Sequence, residues 1–182
     1  LYTTPGAIKS GNTESTDLYV IKWDGSKGGK TIKAATLFGG SSFEGMETHN
    51  IAADDQGNII IAGGTHSTDI PVTSGVVQSQ KINDGRGDSI IAVLSADLTQ
   101  VLAATYLGST GRDALEGIVY HNDLIYVGGT AAGNDFPVTD NSKNSGGSSK
   151  GDNYIAVLTP DLKKIKYATY FGGSGDEEVR SI

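Results

Sequence analysis

Short apolar runs, broken by Gly, Asn, Asp and Ser, recur from one end of the chain to the other. They are rich in Ile, Val, Tyr and Thr, the residues that pleated strands favour. The spacing predicts strands at about 18–23, 31–38, 47–53 and 58–64, and again at about 89–95, 100–107, 115–121 and 123–129. The joints carry turn chemistry: Asp24-Gly25, Asp55-Gln56-Gly57-Asn58 and Asn122-Asp123. Ile90-Ile91-Ala92-Val93-Leu94 is apolar at every position, the pattern of a strand covered on both faces. No stretch combines helical periodicity with caps.

The same strands come back as a repeat. Asp88-Ser-Ile-Ile-Ala-Val-Leu-Ser-Ala-Asp-Leu aligns with Asp152-Asn-Tyr-Ile-Ala-Val-Leu-Thr-Pro-Asp-Leu, an offset of 64 residues. Ala104-Thr105-Tyr106-Leu107-Gly108 continues ungapped over Ala168-Thr169-Tyr170-Phe171-Gly172, and Ile118 falls over Ile182. A more divergent copy opens at Asp17 and passes through Ala35-Thr36-Leu37-Phe38-Gly39. Gly63-Gly64-Thr65 parallels Gly128-Gly129-Thr130, and Asp69-Ile70-Pro71-Val72-Thr73 parallels Asp135-Phe136-Pro137-Val138-Thr139. Four strands per unit, in units longer than about 40 residues, predict an all-β fold of four-stranded antiparallel β-propeller blades. The expected division is a tail of a preceding unit over 1–16 and blades with their loops over 17–87 and 88–151. The first half of a third blade then falls over 152–182. Two and a half blades do not close a ring of the usual 4–8. A longer parent polypeptide, a ring completed by several copies and an extended stack all remain open.

Composition narrows the classes. Gly contributes 26 residues and Pro 4, spread between apolar runs as turns require. The formal net charge of −7 disfavours nucleic acid and anionic membrane surfaces as partners. There are no cysteines, so neither disulfides nor thiolate metal sites are available. No apolar run approaches the roughly 20 residues of a membrane-spanning helix. The first residues show no signal-peptide pattern.

The motifs resemble the SBBP β-propeller repeat. They stand most cleanly at Asp152 to Asp176, Gly57 to Thr65 and Asp135 to Thr139. Leu1-Tyr2-Thr3-Thr4-Pro5-Gly6-Ala7 is similar to Ile70-Pro71-Val72-Thr73-Ser74-Gly75-Val76, with Tyr2 where the later copy has proline. The resemblance implies a secreted or cell-surface protein of bacteria or archaea, and no catalytic residue is carried over. The repeat positions are Asp17, Asp88 and Asp152; Thr36, Thr105 and Thr169; Gly39, Gly108 and Gly172; Gly64 and Gly129; Pro71 and Pro137.

Candidate chemistry is sparse. Arg86-Gly87-Asp88 spells an integrin-type tripeptide, but Asp88 holds the same unit-opening place as Asp17 and Asp152, where a carboxylate binds local backbone amides. Calcium candidates are Asp176, Glu177 and Glu178 in one loop and Asp54 and Asp55 in another, without the spacing of a dedicated calcium loop. His49, His66 and His121 lack metal-ligand spacing. No Gly-x-Ser-x-Gly elbow is present, and the Gly-Gly pairs end strands instead of opening helices. Trp23, Tyr106, Tyr120, Tyr126, Tyr154, Tyr167 and Tyr170 suit packing between sheets or stacking on sugars. The loops at about 65–87 and 130–151 are the places where binding would collect. The expected function is a non-catalytic structural or adhesive module, in an extracellular or surface assembly or filament. The alternatives are a carbohydrate- or protein-binding propeller and, more remotely, an enzyme acting on polysaccharides. Expected partners are further blades in the same or neighbouring chains, then a surface protein or glycan. No cofactor is required, calcium being the one candidate.

Overall fold

The computed structural model describes residues 1–11, 15–28, 31–45, 50–82, 85, 87–139, 151–175, 177 and 179–182. Its described residues form antiparallel sheets with no α-helix. The strands are β1 (Leu18–Trp23), β2 (Ile32–Phe38), β3 (Glu44–Gly45), β4 (Ile51–Ala53), β5 (Ile59–Thr65) and β6 (Asp88–Leu94). They continue as β7 (Val101–Leu107), β8 (Asp113–His121), β9 (Leu124–Ala131), β10 (Asp152–Leu158) and β11 (Ile165–Phe171). Of the strand expected at 47–53, residues 47–49 lie outside the described residues and β4 supplies the remainder. A 3₁₀ turn, Gly25–Lys27, follows Asp24, whose side chain accepts from the Ser26 amide.

Hydrogen bonding sorts the strands into three sheets. The first pairs β1 with β2; the second runs β3/β4-β5-β6-β7; the third runs β8-β9-β10-β11. These sheets are out of phase with the units 17–87 and 88–151. Each of the two larger sheets joins the last strands of one sequence unit to the first two of the next. An alignment measures the period of a tandem repeat and leaves its phase open. The long loops, expected to separate blades, instead connect antiparallel neighbours within one sheet, β5 to β6 and β9 to β10. The short Gly39–Phe43 and Gly108–Arg112 segments are the ones that step from sheet to sheet.

A second correction concerns the Gly-Gly pairs. Gly63 lies opposite Ile90 and Gly129 opposite Tyr154, so Gly63, and not Gly64, holds the position in its sheet that Gly129 holds in the next. The hairpins before them differ in length. Asn122 and Asp123 both have positive φ (49° and 57°), the geometry of a two-residue type I′ turn, whereas Asp54–Asn58 makes a longer turn.

The sheets stack face to face. Leu18, Val20, Ala34 and Phe38 of the first sheet pack on Ile61, Ile90, Ala92, Leu94 and Tyr106 of the second. Ile60, Ala62, Ile91, Val93 and Leu107, on the other face of the second sheet, pack on Leu115, Ile118, Val127 and Tyr154 of the third. β6 is therefore buried at every position. Leu98 and Leu162 lie in equivalent hairpins at φ 59° and 56°, a left-handed conformation unusual for leucine, and both side chains are completely buried. Core burial of about 1.5–3 kcal/mol per leucine side chain outweighs the roughly 1–2 kcal/mol of such a backbone.

One edge strand of each sheet is covered by loop backbone. Thr4 and Lys9 bond along β2, Thr73 and Gln78 along β7, and Thr139 along β11. Ile70-Pro71-Val72 and Phe136-Pro137-Val138 each turn tightly, the third amide bonding the first carbonyl at 2.7 Å. The proline's fixed φ suits the middle of such a turn. A sheet edge covered by its own loop is one of the standard defences against edge-to-edge aggregation.

Candidate functional site

The site-bearing feature of this fold is the step between sheets. Gly39, Gly108 and Gly172 each end an edge strand, and each is crowded by two carboxyl groups. A Cβ at Gly39 would collide with Asp17 Oδ1 and Glu44 Oε2. At Gly108 it would lie 2.7 Å from Asp113 Oδ2 and 3.2 Å from Asp88 Cγ. At Gly172 it would lie 2.6 Å from Asp152 Oδ1 and 2.8 Å from Glu177 Oε2. Only glycine leaves room for both acids.

One member of each pair opens the first strand of a repeat unit: Asp17 just before β1, Asp88 in β6 and Asp152 in β10. The other stands five residues past the glycine: Glu44, Asp113 and Glu177. In the first two pairs the second acid begins the next sheet. The reading of Asp17, Asp88 and Asp152 as turn residues did not anticipate these partners. The fixed five-residue spacing was the signal that pointed to them.

The acids of the first two pairs are deeply buried. Asp88 is 0% and Asp113 3% exposed, and the Asp17 side chain 1%. Lys9 Nζ donates to Asp17 Oδ1 at 2.7 Å and to the Gly40 carbonyl at 2.8 Å. Glu44 accepts from the Thr65 and Ser67 hydroxyls and from the Gly40 amide. Asp113 accepts from the Ser109 amide and hydroxyl, both at 2.7 Å. Asp88 accepts from the Ile82 amide at 3.0 Å. Burial pushes the Asp113 carboxyl up to about 7, with Asp88 and Asp135 adding to the rise and the Ser109 hydrogen bonds opposing it. Burial also raises Asp88, against the Ile82 amide and Lys81.

A cleft of about 230 Å³ opens beside the middle pair, where the second and third sheets meet. Phe43, His66, Arg112 and Leu115 line it, and Gly45, Gly64 and Gly87 keep its walls low. The Phe43 ring is half exposed and meets His66 edge-on, centroids 6.0 Å apart. Arg112 and His66 are both exposed.

The remaining candidates disperse. Arg86 lies outside the described residues, and the Asp88 carboxyl of that tripeptide is buried in the sheet. Asp176, Glu178 and His49 also lie outside them. Asp54 folds onto its own turn, accepting from the Gln56 and Asn58 amides, while Asp55 faces solvent. Among the described residues no three His, Cys, Asp or Glu side chains gather as a metal site. His121 is exposed at the end of β8.

Tyr106 and Tyr170 are buried anchors. Tyr106 Oη donates to the Ser67 carbonyl and accepts from the Ile70 amide, and Tyr170 Oη does the same with Gly133 and Phe136. Tyr154 stacks on Phe136 at 4.1 Å. Trp23 is exposed, and Tyr120, Tyr126 and Tyr167 are half-buried. Thr36 and Thr105 accept from the amides of Lys9 and Gln78 in the covering loops, and Thr169 donates to the Tyr170 carbonyl. The first part of loop 65–87 is thus held down on the sheet; of loop 130–151, residues 140–150 lie outside the described residues. No helix among the described residues is long and apolar enough to cross a membrane. Neither family models nor the curated proteins yield a match to this chain.

Proposed function

We propose that this chain is a non-catalytic structural module of the β-propeller kind, whose sheets serve as blades in a larger ring or stack outside the cell. The observation that carries the reading is the outer face of β10. It keeps Ile155 and Val157 where β6 has Ile91 and Val93, yet Ile155 is 42% exposed. Phe171 and the half-buried Tyr167 flank it on β11, and Ile182 covers it only near Gly128 and Gly117. An apolar sheet face of this kind favours another sheet as its cover. The SBBP-like motifs and the acidic, glycine-rich composition support a surface location. Sedimentation velocity of the chain across a concentration series, with electron microscopy, tests the reading. Concentration-dependent assembly that Ile155→Asp abolishes is the expected result. A monomer at every concentration, unchanged by that substitution, argues against it.

A second reading, a carbohydrate-binding module, is favoured by the cleft. A pyranose face fits an open aromatic ring, and Arg112 and His66 supply hydrogen-bond donors beside Phe43. A glycan-array signal lost in Phe43→Ala and Arg112→Ala supports it; a blank array removes it.

A further inference from the structure

At the first step between sheets, Lys9 brings an amine to two buried carboxyls. Its Nζ donates to Asp17 Oδ1 at 2.7 Å and to the Gly40 carbonyl at 2.8 Å, so the ammonium is held at two points. A Cβ on Gly39 would collide with both Asp17 Oδ1 and Glu44 Oε2, which places the two acids and the amine in one small space. The Thr65 and Ser67 hydroxyls and the Gly40 amide fix the Glu44 carboxyl there. Asp17 Oδ2 is buried and has no hydrogen-bond partner among the described residues. A carboxylate oxygen in that state is costly, because burial strips its water and nothing replaces it. An amide at this place would hold one oxygen instead of two, and no charge.

We propose that Lys9 and Asp17 condense into an intramolecular amide cross-link, with Glu44 as the proton carrier. The step is a dehydration and needs no further reactant. Glu44 takes a proton from the Lys9 ammonium, and the freed Nζ attacks Asp17 Cγ. The Nζ–Cγ bond forms and one Cγ–Oδ bond breaks. The departing oxygen leaves as water with two of the three ammonium protons, one of them returned by Glu44, and the third stays on the amide nitrogen. One positive and one negative charge vanish together. Contact between amine and acid makes the reaction unimolecular, and burial of the carboxyl keeps bulk water from reversing it. A cavity of about 420 Å³ lined by Lys9, Gly39, Gly40 and Asp69 gives the released water a way out.

The second step is a built-in contrast. Gln78 takes the place of Lys9 there: the Lys9 carbonyl accepts from Leu37 in β2, and the Gln78 carbonyl from Tyr106 at the matching position in β7. The Gln78 side chain accepts from the Gly108 amide at 3.0 Å and offers no nucleophile. The cross-link therefore distinguishes the first step from the second, and ties the segment along β2 to the start of β1.

Intact-mass spectrometry of the full chain, unfolded after storage at neutral pH, tests this. The wild type should weigh about 18 Da less than its sequence, the mass of one water. Trypsin should leave Lys9 uncut and release residues 1–22 as one peptide, in which fragmentation joins Lys9 to Asp17. Lys9→Arg keeps the positive charge and should weigh what its sequence requires, as should Glu44→Gln. A wild-type mass equal to the sequence means an ion pair only and overturns the proposal. A missing water that fragmentation places elsewhere, such as at Asp24-Gly25, overturns it too. If a variant does not fold, the wild-type mass and the joined peptide still decide.

Discussion

β6 and β10 are copies of one strand in two surroundings. Asp88-Ser-Ile-Ile-Ala-Val-Leu is buried at all seven positions, because a sheet lies on each of its faces. Asp152-Asn-Tyr-Ile-Ala-Val-Leu alternates: Tyr154, Ala156 and Leu158 are buried, while Ile155 and Val157 look outward. Nothing in the two heptapeptides accounts for the difference. Burial here belongs to the stack and not to the strand. Selection for a soluble outer face would have placed polar residues at 155 and 157, as one-sided antiparallel sheets do.

The largest expected effect puts this comparison at risk. Ile91→Ala should destabilise by about 2–5 kcal/mol, the cost of a cavity in a packed interface. Ile155→Ala, at the matching but uncovered position, should cost about 1 kcal/mol or less. Urea unfolding of the two variants at low protein concentration checks the gap; equal losses would break the comparison.

Next come Tyr106→Phe and Tyr170→Phe. Each hydroxyl holds down a loop on its own sheet, whatever covers the far side. Both changes orphan a buried amide and carbonyl and should cost about 1–3 kcal/mol, nearly equally, in thermal unfolding. Unequal losses would mean that coverage reaches these anchors too.

The smallest effect sits in the hairpin turns. Asp97 accepts from Ser95 and Thr99, and Asp161 from Thr159 and Lys163, which holds both carboxyls below the usual carboxylate range. Their contribution is present above pH 3.8 and lost as pH falls through the lowered values. Asp97→Asn and Asp161→Asn should each trim the acid-side loss of melting temperature between pH 4 and 2 by a small, matching amount. Neither should alter the behaviour from pH 5 to 8, well above the range in which these two carboxyls titrate.

How much of this was legible in the sequence follows from what a repeat can encode. Strand positions were legible, because alternation and turn residues such as Asn122-Asp123 are local. The recurring Asp and Gly positions were legible too and meet at the sheet steps, whereas Thr36 and Thr105 tie covering loops to β2 and β7. The sheet boundaries were not, since strand pairing is a relation between distant segments, and a 64-residue period is silent on which loop crosses. The slip at Gly63 and Gly129 came from a hairpin whose length differs between copies. The carboxyl pairs were half visible. Glu177 was noted as a possible calcium ligand, but its kinship with Glu44 and Asp113 emerges only when all three stand over a glycine.

The claim beneath the rest is that the outer face of β10 is open where the same face of β6 is sealed. The chain has no cysteine, so a single thiol can be placed at will. Ile91→Cys, Val93→Cys, Ile155→Cys and Val157→Cys should be compared for reaction with an uncharged maleimide under native conditions. The account predicts protected thiols at 91 and 93, and reactive ones at 155 and 157 that become protected as protein concentration rises. Equal reactivity at all four positions would contradict it.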